Sequence, residues 1–414
     1  MSIKVLYIDG DGPMGGASRS LFEVLSFLHS RQEISPYFFV SSGSATVFYK
    51  RIAVDSLEVR GMSKFDNTRY GYYRGMRWAI LLREMVYLPF MCFGLFQARR
   101  RWRDVEFDVI HVNEFVYLLP ALLAKVIFKA PLVVHVRALC RDDQGSLRVR
   151  FLNWVFSNFV DSVVAIDGNV RRTLPADVSV EIINNSFSPS ASNAPAPEFV
   201  AKFKSLSKET FKAGFVGNLH LSKGVFEIVQ AAKILRDQGR DIDFIMVGGI
   251  TLEDKGLKAW VLSKLGFAQN FASELNELIA REDLQNCFHL MGPTLDIKYV
   301  YDHISVLLFP SHFDAPGRPV FEAGFSGIPS IVAVRNASDD TFVSNETGLA
   351  IPAKDPGALA EAIAYLQDHE SERARMGGNA QLLAQKNFVP ERNAAKLLDV
   401  YAELVRVSNA KFNS

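Results

Sequence analysis

Two α/β domains, each built on a parallel sheet, are the fold class this chain predicts. Three observations point there. Apolar runs of strand length alternate with helical patterns along almost the whole sequence. The alternation stops once, in a Ser-, Pro- and Ala-rich stretch near the middle, and then restarts. The 414 residues also exceed what one hydrophobic core usually supports.

In the first half, strands read over 4–9, 37–40, 109–112, 132–136, 162–166 and 180–183, with helices over 17–29, 117–128 and 147–159 between them. Residues 186–199 (SFSPSASNAPAPEF) have no apolar period and read as linker. Beyond them, strands follow over 213–216, 243–247, 288–291 and 306–309, and another begins after Pro329. Helices read over 225–236, 357–368 and 392–407. The expected division is a first domain over 1–190, a linker over 191–207 and a second domain over 208–390. Residues 391–414 would form a C-terminal helix returning to the first domain, and a ligand cleft would lie between the two domains.

Composition narrows the function classes. With 49% hydrophobic and 22% charged residues the chain is of ordinary soluble type, and its net charge of +1 gives no electrostatic case for a nucleic-acid partner. Cys92, Cys140 and Cys287 are odd in number and far apart, which fits neither a disulfide framework nor a paired-cysteine metal site. Reduced thiols in a cytoplasmic protein are the expectation. The N-terminus reads as a strand rather than a signal peptide.

One segment breaks the pattern. Residues 78–96 (WAILLREMVYLPFMCFGLF) are strongly apolar, but Arg83, Glu84 and Pro89 interrupt them, and the charge-free part is too short to span a bilayer. Arg74, Arg77, Arg99, Arg100, Arg101 and Arg103 flank both ends. The segment 74–103 therefore reads either as an interfacial anchor on an anionic leaflet or as a buried core helix with a solvated charge run.

Three loops carry chemistry. The richest is 309–329 (FPSHFDAPGRPVFEAGFSGIP): a buried strand ends in Pro310, a polar loop holds Asp314, and a short helix opens with Glu322 in its first turn. Strand, loop and helix N-terminus form the kind of crevice in which parallel sheets hold ligands. The carboxylates would accept hydroxyl protons, and the helical N–H groups would face an anion. Taken singly, Glu322 could merely complement a helix dipole and Asp314 could merely form a turn.

The second loop runs from Phe215 through Gly217, Asn218 and His220 to Lys223 and Gly224, where a lysine at a helix entrance could meet a diphosphate or simply be solvated. The third follows the first strand, Asp9-Gly-Asp-Gly-Pro-Met-Gly-Gly-Ala17, where glycines allow close approach to an anion or a plain tight turn.

Taken in order along the chain, these pieces resemble the retaining, nucleotide-sugar-dependent glycosyltransferases of family 4 (glycosyl transferases group 1), which have the GT-B fold. In the first half the resemblance rests on Gly15-Gly-Ala-Ser-Arg-Ser-Leu, Phe107-Asp-Val-Ile-His-Val-Asn113, Ser162-Val-Val-Ala-Ile-Asp-Gly-Asn-Val170 and Ile182-Ile-Asn-Asn185. In the second half it rests on Gly217 with Lys223-Gly224, on Gly292-Pro293, Phe309-Pro-Ser311, Glu322-Ala-Gly-Phe-Ser-Gly-Ile-Pro329 and Thr347-Gly-Leu349.

The resemblance implies two Rossmann-like domains facing across a cleft. Catalysis would fall to Asp314, Glu322, Lys223 and Arg137. Gly15 and Gly16 would shape the loop toward the donor phosphates and acceptor, and Lys223 would bind the leaving diphosphate. Glu322 would bind the ribose and Asp314 the donor sugar, with Gly317, Arg318, Pro319 and Val320 near sugar and phosphate. Gly217, Asn218 and His312 would complete the donor site, and His111, Asn113 and Arg137 would lie on the acceptor side. No metal and no cofactor beyond the donor are implied.

Three departures from the family pattern stand out: Asp314 replaces a glutamate, Asn218 stands in the loop where an arginine is common, and Arg137 aligns with a histidine. His135 is two residues earlier on the same strand face. The implied function is transfer of a sugar to a lipid-linked or polysaccharide-precursor acceptor at the inner face of a membrane. A non-catalytic scaffold, or another GT-B enzyme such as a sugar-nucleotide epimerase, is the alternative.

Overall fold

The computed structural model describes residues 2–69, 77–143, 145–189, 196–206, 209–249, 271–294 and 296–412. The chain forms two compact units, Met1–Ser188 with Asn387–Ser414, and Pro189–Lys386. Each is an α/β unit on one parallel sheet.

The first unit runs β1 (Ile3–Asp9), α1 (Gly16–Ser30), β2 (Ile34–Ser41), α2 (Ser44–Tyr49), β3 (Asp55–Val59), α3 (Arg77–Arg101), β4 (Val109–Val112), α4 (Leu118–Phe128), β5 (Leu132–Val136), α5 (Leu147–Phe159), β6 (Ser162–Ala165), α6 (Gly168–Arg172) and β7 (Val180–Ile182). Its seven strands lie in the order β3-β2-β1-β4-β5-β6-β7. The second unit runs α7 (Pro197–Lys204), β8 (Phe211–Val216), a 3-10 turn (Leu221–Lys223), α8 (Val225–Asp237), β9 (Ile242–Val247), α9 (Phe271–Arg281), β10 (Phe288–Gly292), α10 (Ile297–Tyr301), β11 (Val306–Phe309), α11 (Arg318–Phe325), β12 (Ser330–Ala333), β13 (Gly348–Ile351), α12 (Pro356–Asp368) and α13 (Glu370–Asn387). Its sheet order is β10-β9-β8-β11-β12-β13. The chain then returns to the first unit as α14 (Pro390–Phe412).

Central strands such as β5, β8 and β9 are buried at every position, so they read as continuous apolar runs rather than alternating ones. In the first unit, α3, α4 and α5 contribute Met91, Leu95, Ala121, Leu152 and Phe156 to one hydrophobic cluster on the sheet. Helices α1 and α14 contribute Leu21, Leu25, Leu397 and Tyr401 to another. Helix α3 comes close to the sheet at Gly94, where an added Cβ would stand 2.3 Å from a Val59 methyl. Among the described residues no helix is long and apolar enough to cross a membrane.

Two expectations are corrected here. The stretch read as linker (191–207) holds α7 among its described residues, with Pro197 in the first turn and Phe199 and Phe203 buried against Val216 and Ile245. One buried i, i+4 aromatic pair holds it, too little to register as a period in a Pro- and Ala-rich stretch. It belongs to the second unit, which begins at Pro189. Helix α11 opens at Arg318 with Gly317 as its N-cap, so Glu322 lies in the second turn, not the first. Of the arginines flanking the apolar segment, Arg74 lies outside the described residues.

Candidate active site

A doubly wound sheet holds its ligands beyond the carboxyl ends of the strands, where the strand order reverses. That point falls between β1 and β4 in the first sheet and between β8 and β11 in the second.

In the first unit β1 ends on Asp9, which is buried. Its carboxylate accepts from Ser18 Oγ at 2.7 Å, Tyr49 OH at 2.5 Å, Asn113 Nδ2 at 3.1 Å and the Asp11 N–H at 3.2 Å. Asn113 directly follows β4 and turns its Oδ1 to Arg137 Nε at 2.7 Å. Arg137 follows β5, donates through Nη1 to Asn185 Oδ1 at 2.7 Å, and places Nη2 3.3 Å from His135 Nδ1. The guanidinium is thus fixed from three sides at the strand ends, half-buried.

The nearby imidazoles are core residues. His111 is fully buried, its Nδ1 lies 2.7 Å from Tyr401 OH of α14, and its ring centroid is 5.4 Å from that of His135. Burial, reinforced by the Arg137 charge, lowers His111 to about 3 and holds His135 well below the usual imidazole range. Both are neutral. The placement of His111 on the acceptor side is therefore corrected: it meets α14, not a ligand surface. Glu114, also buried, accepts from the N–H of Phe115 at 2.8 Å and of Arg137 at 3.4 Å, and burial pushes its carboxyl up to about 8. Gly15 caps α1 without a side chain, no neighbouring atom among the described residues lies within 4 Å of where its Cβ would stand, and Gly16 opens the helix.

In the second unit β8 runs into Gly217 and the exposed Asn218. His220 caps the 3-10 turn, its Nδ1 accepting from the Ser222 N–H at 3.2 Å, and Lys223 ends that turn. Gly224 follows with φ +76°, and an added Cβ there would stand 2.1 Å from the carbonyl oxygen of Pro310. Only glycine permits this contact, which brings the Lys223 loop against the end of β11. The Lys223 ammonium lies 5.7 Å from the ring centre of Phe309 and 5.2 Å from that of Phe313, and burial lowers its pKa. Among the described residues no carboxylate lies within ion-pair distance of it.

The loop after β11 is strapped down on three sides. The His312 N–H donates to Ser222 O at 2.9 Å, and its Nε2 lies 2.9 Å from Glu227 Oε1 on α8. His312, expected as a donor contact, is thus turned to a protein carboxylate. Asp314 Oδ1 accepts from the Arg335 N–H at 2.7 Å. Gly317 packs under Phe309, where an added Cβ would meet the ring at 2.3 Å. Glu322 is buried; Oε2 accepts from Tyr301 OH at 2.9 Å and Oε1 from Arg318 Nε at 2.5 Å. Pro319 and Val320 stand in the first turn of α11, where the missing proline N–H costs nothing.

The structure brings Lys223, His312, Gly317 and the N-terminal turn of α11 to one edge of the second sheet, and Gly15, Asn113 and Arg137 to one edge of the first. Sequence reasoning missed Asp9, Glu114, Glu227 and Tyr301. Asp9 carried a usable signal, since a carboxylate closing an apolar strand before a glycine loop needs donors. Tyr301 carried none. Among the described residues no three His, Cys, Asp or Glu side chains gather as a metal-binding group.

Two family models match the chain: glycosyl transferases group 1 over residues 198–383, and the glycosyl transferase 4-like domain over residues 57–180. The chain is 25% identical over 210 residues to the capsular polysaccharide biosynthesis glycosyltransferase CapM of Staphylococcus aureus, a match covering 51% of this chain and 50% of that protein. It is 26% identical over 307 residues to the lipopolysaccharide core biosynthesis mannosyltransferase LpsB of Rhizobium meliloti, covering 72% of this chain and 80% of that protein. The chain thus spans about half the length of the first of these relatives and more of the second. Among solved structures, Anabaena Alr3699/HepE in complex with UDP superposes with a TM-score of 0.72 at 18% identity, covering 97% of this chain and all of that one, a likeness of fold.

Proposed function

The chain belongs to the GT-B glycosyltransferases of group 1, family 4 type, and from that premise we propose that it moves a sugar from a nucleotide-diphosphate sugar to an acceptor, retaining anomeric configuration and using no metal ion. The observation that carries this reading is Lys223. A desolvated ammonium without a counter-ion among the described residues, at the switch point of a parallel sheet, is a place for a bound anion. The leaving diphosphate of a nucleotide sugar supplies one.

In this reading Lys223 stabilises the charge that grows on the diphosphate as the glycosidic bond breaks, acting where water is scarce and electrostatic effects are large. Gly317 and the first turn of α11 approach the sugar and phosphates. Asp314, held by the Arg335 N–H, meets donor sugar hydroxyls. Glu322 takes the ribose hydroxyls by exchanging the contact that Arg318 now makes. Arg137 receives the acceptor, fixed in place by Asn113, Asn185 and His135.

The acceptor in this proposal is a lipid-linked or polysaccharide precursor, and the protein sits peripherally on the inner face of a membrane through 74–103. Helix α3 supports this. Leu82, Met85, Phe93 and Phe96 are all more than half exposed, at 63%, 62%, 61% and 56%, while the arginines at its end are exposed beside them.

Thermal unfolding in the presence of UDP-, GDP- and ADP-sugars tests the donor site, because a ligand that binds only the folded state raises the apparent Tm. One nucleotide class should stabilise the protein, and Lys223→Ala should abolish the shift. No stabilisation by any of them, or full transfer activity in both Lys223→Ala and Glu322→Ala, would sink the assignment.

A further inference from the structure

We infer that α5, together with α4, extends the apolar surface of α3 into a three-helix face that docks on an anionic lipid leaflet, with Leu147, Phe151 and Trp154 as a second inserting element. The inference rests on the peripheral-membrane reading above and adds a site outside the segment 74–103.

The distribution of exposed apolar side chains comes first. Fourteen of the twenty large hydrophobic side chains exposed among the described residues lie on these helices: eight on α3, two on α4 and four on α5. The helices cover the same sheet through one hydrophobic cluster, and α4 is tied to α5 by Lys125 Nζ donating to Phe159 O at 2.9 Å. Helix α5 buries Val149, Leu152, Val155 and Phe156 against the sheet. Its solvent side carries large apolar groups beside Arg148, Arg150 and Asn158: Leu147 is 77% exposed, Trp154 52% and Phe151 51%. A surface helix of a soluble domain normally turns a polar face to water, so one that exposes this many large apolar side chains among its arginines marks an interaction surface.

Charge chooses the partner. From residue 81 to the end of α3, and throughout α4 and α5, the one acidic residue is Glu84. It accepts from the Lys64 N–H and from Arg83, so it adds no free negative charge. Arg99, Arg100 and Arg150 are exposed, and no carboxylate lies within ion-pair distance of them among the described residues. Aromatic and aliphatic side chains interleaved with arginines and devoid of free acids match the boundary between acyl chains and anionic headgroups. Trp154, large and amphipathic, belongs at that depth.

The test is co-sedimentation of the full chain with vesicles of phosphatidylcholine alone and of phosphatidylcholine mixed with phosphatidylglycerol. Wild type should bind the mixed vesicles and not the neutral ones. Phe151→Glu/Trp154→Glu should weaken that binding at least about tenfold, and so should Leu82→Glu/Met85→Glu. Phe151→Ser/Trp154→Ser repeats the α5 test without added charge should the first pair fail to fold. Thermal stabilisation by the donor, measured on the same variants, should be unchanged, which separates this surface from the glycosyltransferase reading. Wild-type binding by the α5 variants would overturn the inference, as would equal binding of wild type to neutral vesicles. A wild-type dimer that the α5 variants convert to monomer would overturn it too, assigning the face to a second copy of the chain.

Discussion

Arg137 donates through Nε to the amide oxygen of Asn113 at 2.7 Å, and that amide is itself oriented by Asp9, which accepts from its nitrogen at 3.1 Å. An amide held at both ends can present only its oxygen to the guanidinium. Asp9 sits 104 residues before Asn113, and its orientation is secured by Ser18 and Tyr49, so α1 and α2 help to aim Arg137. Asn113→Ala should free the guanidinium to reorient. If Arg137 receives the acceptor, turnover should fall by up to about a hundredfold, the cost of a misplaced contact of this kind, while donor binding stays unchanged. Steady-state kinetics with both substrates varied, beside donor thermal shifts, checks the split. Loss of donor binding as well would place Arg137 elsewhere.

The Glu322 carboxylate makes a second prediction. It is buried, and Tyr301, the last residue of α10, supplies one of the two hydrogen bonds it accepts among the described residues. Tyr301→Phe leaves an acceptor buried with half its partners, which should cost about 1–3 kcal/mol of stability. Chemical denaturation reads this directly. An unchanged midpoint would mean that water or Arg318 takes over the vacated oxygen.

How far these arrangements could be read in advance depends on where each signal lies. Strands β4, β5, β8, β9 and β11 are buried on both faces and stand out as apolar runs. Strands β3 (DSLEV) and β13 (GLAI) are half-exposed, and neither the apolar run nor clean alternation marks them. Helix α11 begins a turn earlier than its sequence suggests because Arg318-Pro319 looks like loop, although proline fits a first helical turn. The residue types of the site were visible because each closes a strand or opens a helix. Their partners were not: Tyr301 for Glu322, Glu227 for His312 and Tyr401 for His111 meet them only through tertiary packing across 21, 85 and 290 residues.

Glu114 gives the fold a dependence on pH. Burial raises its carboxyl from the ordinary 4.5 to about 8, so the folded state keeps a proton that the unfolded chain releases. Between those two values the folded state binds more protons, and stability must fall as pH rises. His111 acts in the opposite sense. Its depressed value of about 3 means that stability falls as pH drops below the ordinary 6.5, because only the unfolded imidazole accepts the proton. Glu114→Gln, which holds the neutral form at every pH, should remove the decline that Glu114 contributes between 4.5 and about 8 and leave the profile below 4.5, where Glu114 is protonated in both states, unaltered. Denaturant midpoints measured across that range decide it. A variant profile parallel to wild type would show that Glu114 ionises in the folded protein as it does in the unfolded chain.

Gly224 offers the sharpest test of how the Lys223 loop is held. Its φ of +76° already disfavours a side chain, and an added Cβ would stand 2.1 Å from the Pro310 carbonyl oxygen. That oxygen belongs to the backbone leaving β11, so it cannot swing aside as a flexible side chain could. Gly224→Ala must therefore either push the Lys223 turn away from β11 or strain both segments. A loss of at least about 2 kcal/mol is expected from left-handed strain plus the clash. The turn also carries Lys223 and the Ser222 carbonyl that accepts from the His312 N–H, so donor-induced thermal stabilisation should weaken along with stability. Gly239→Ala is the control: Gly239 has nearly the same φ, +71°, but no neighbouring atom among the described residues lies within 4 Å of its would-be Cβ. It should cost only the backbone strain and leave donor stabilisation intact. Equal effects on donor stabilisation at both glycines would show that contact with Pro310 does not set the position of Lys223.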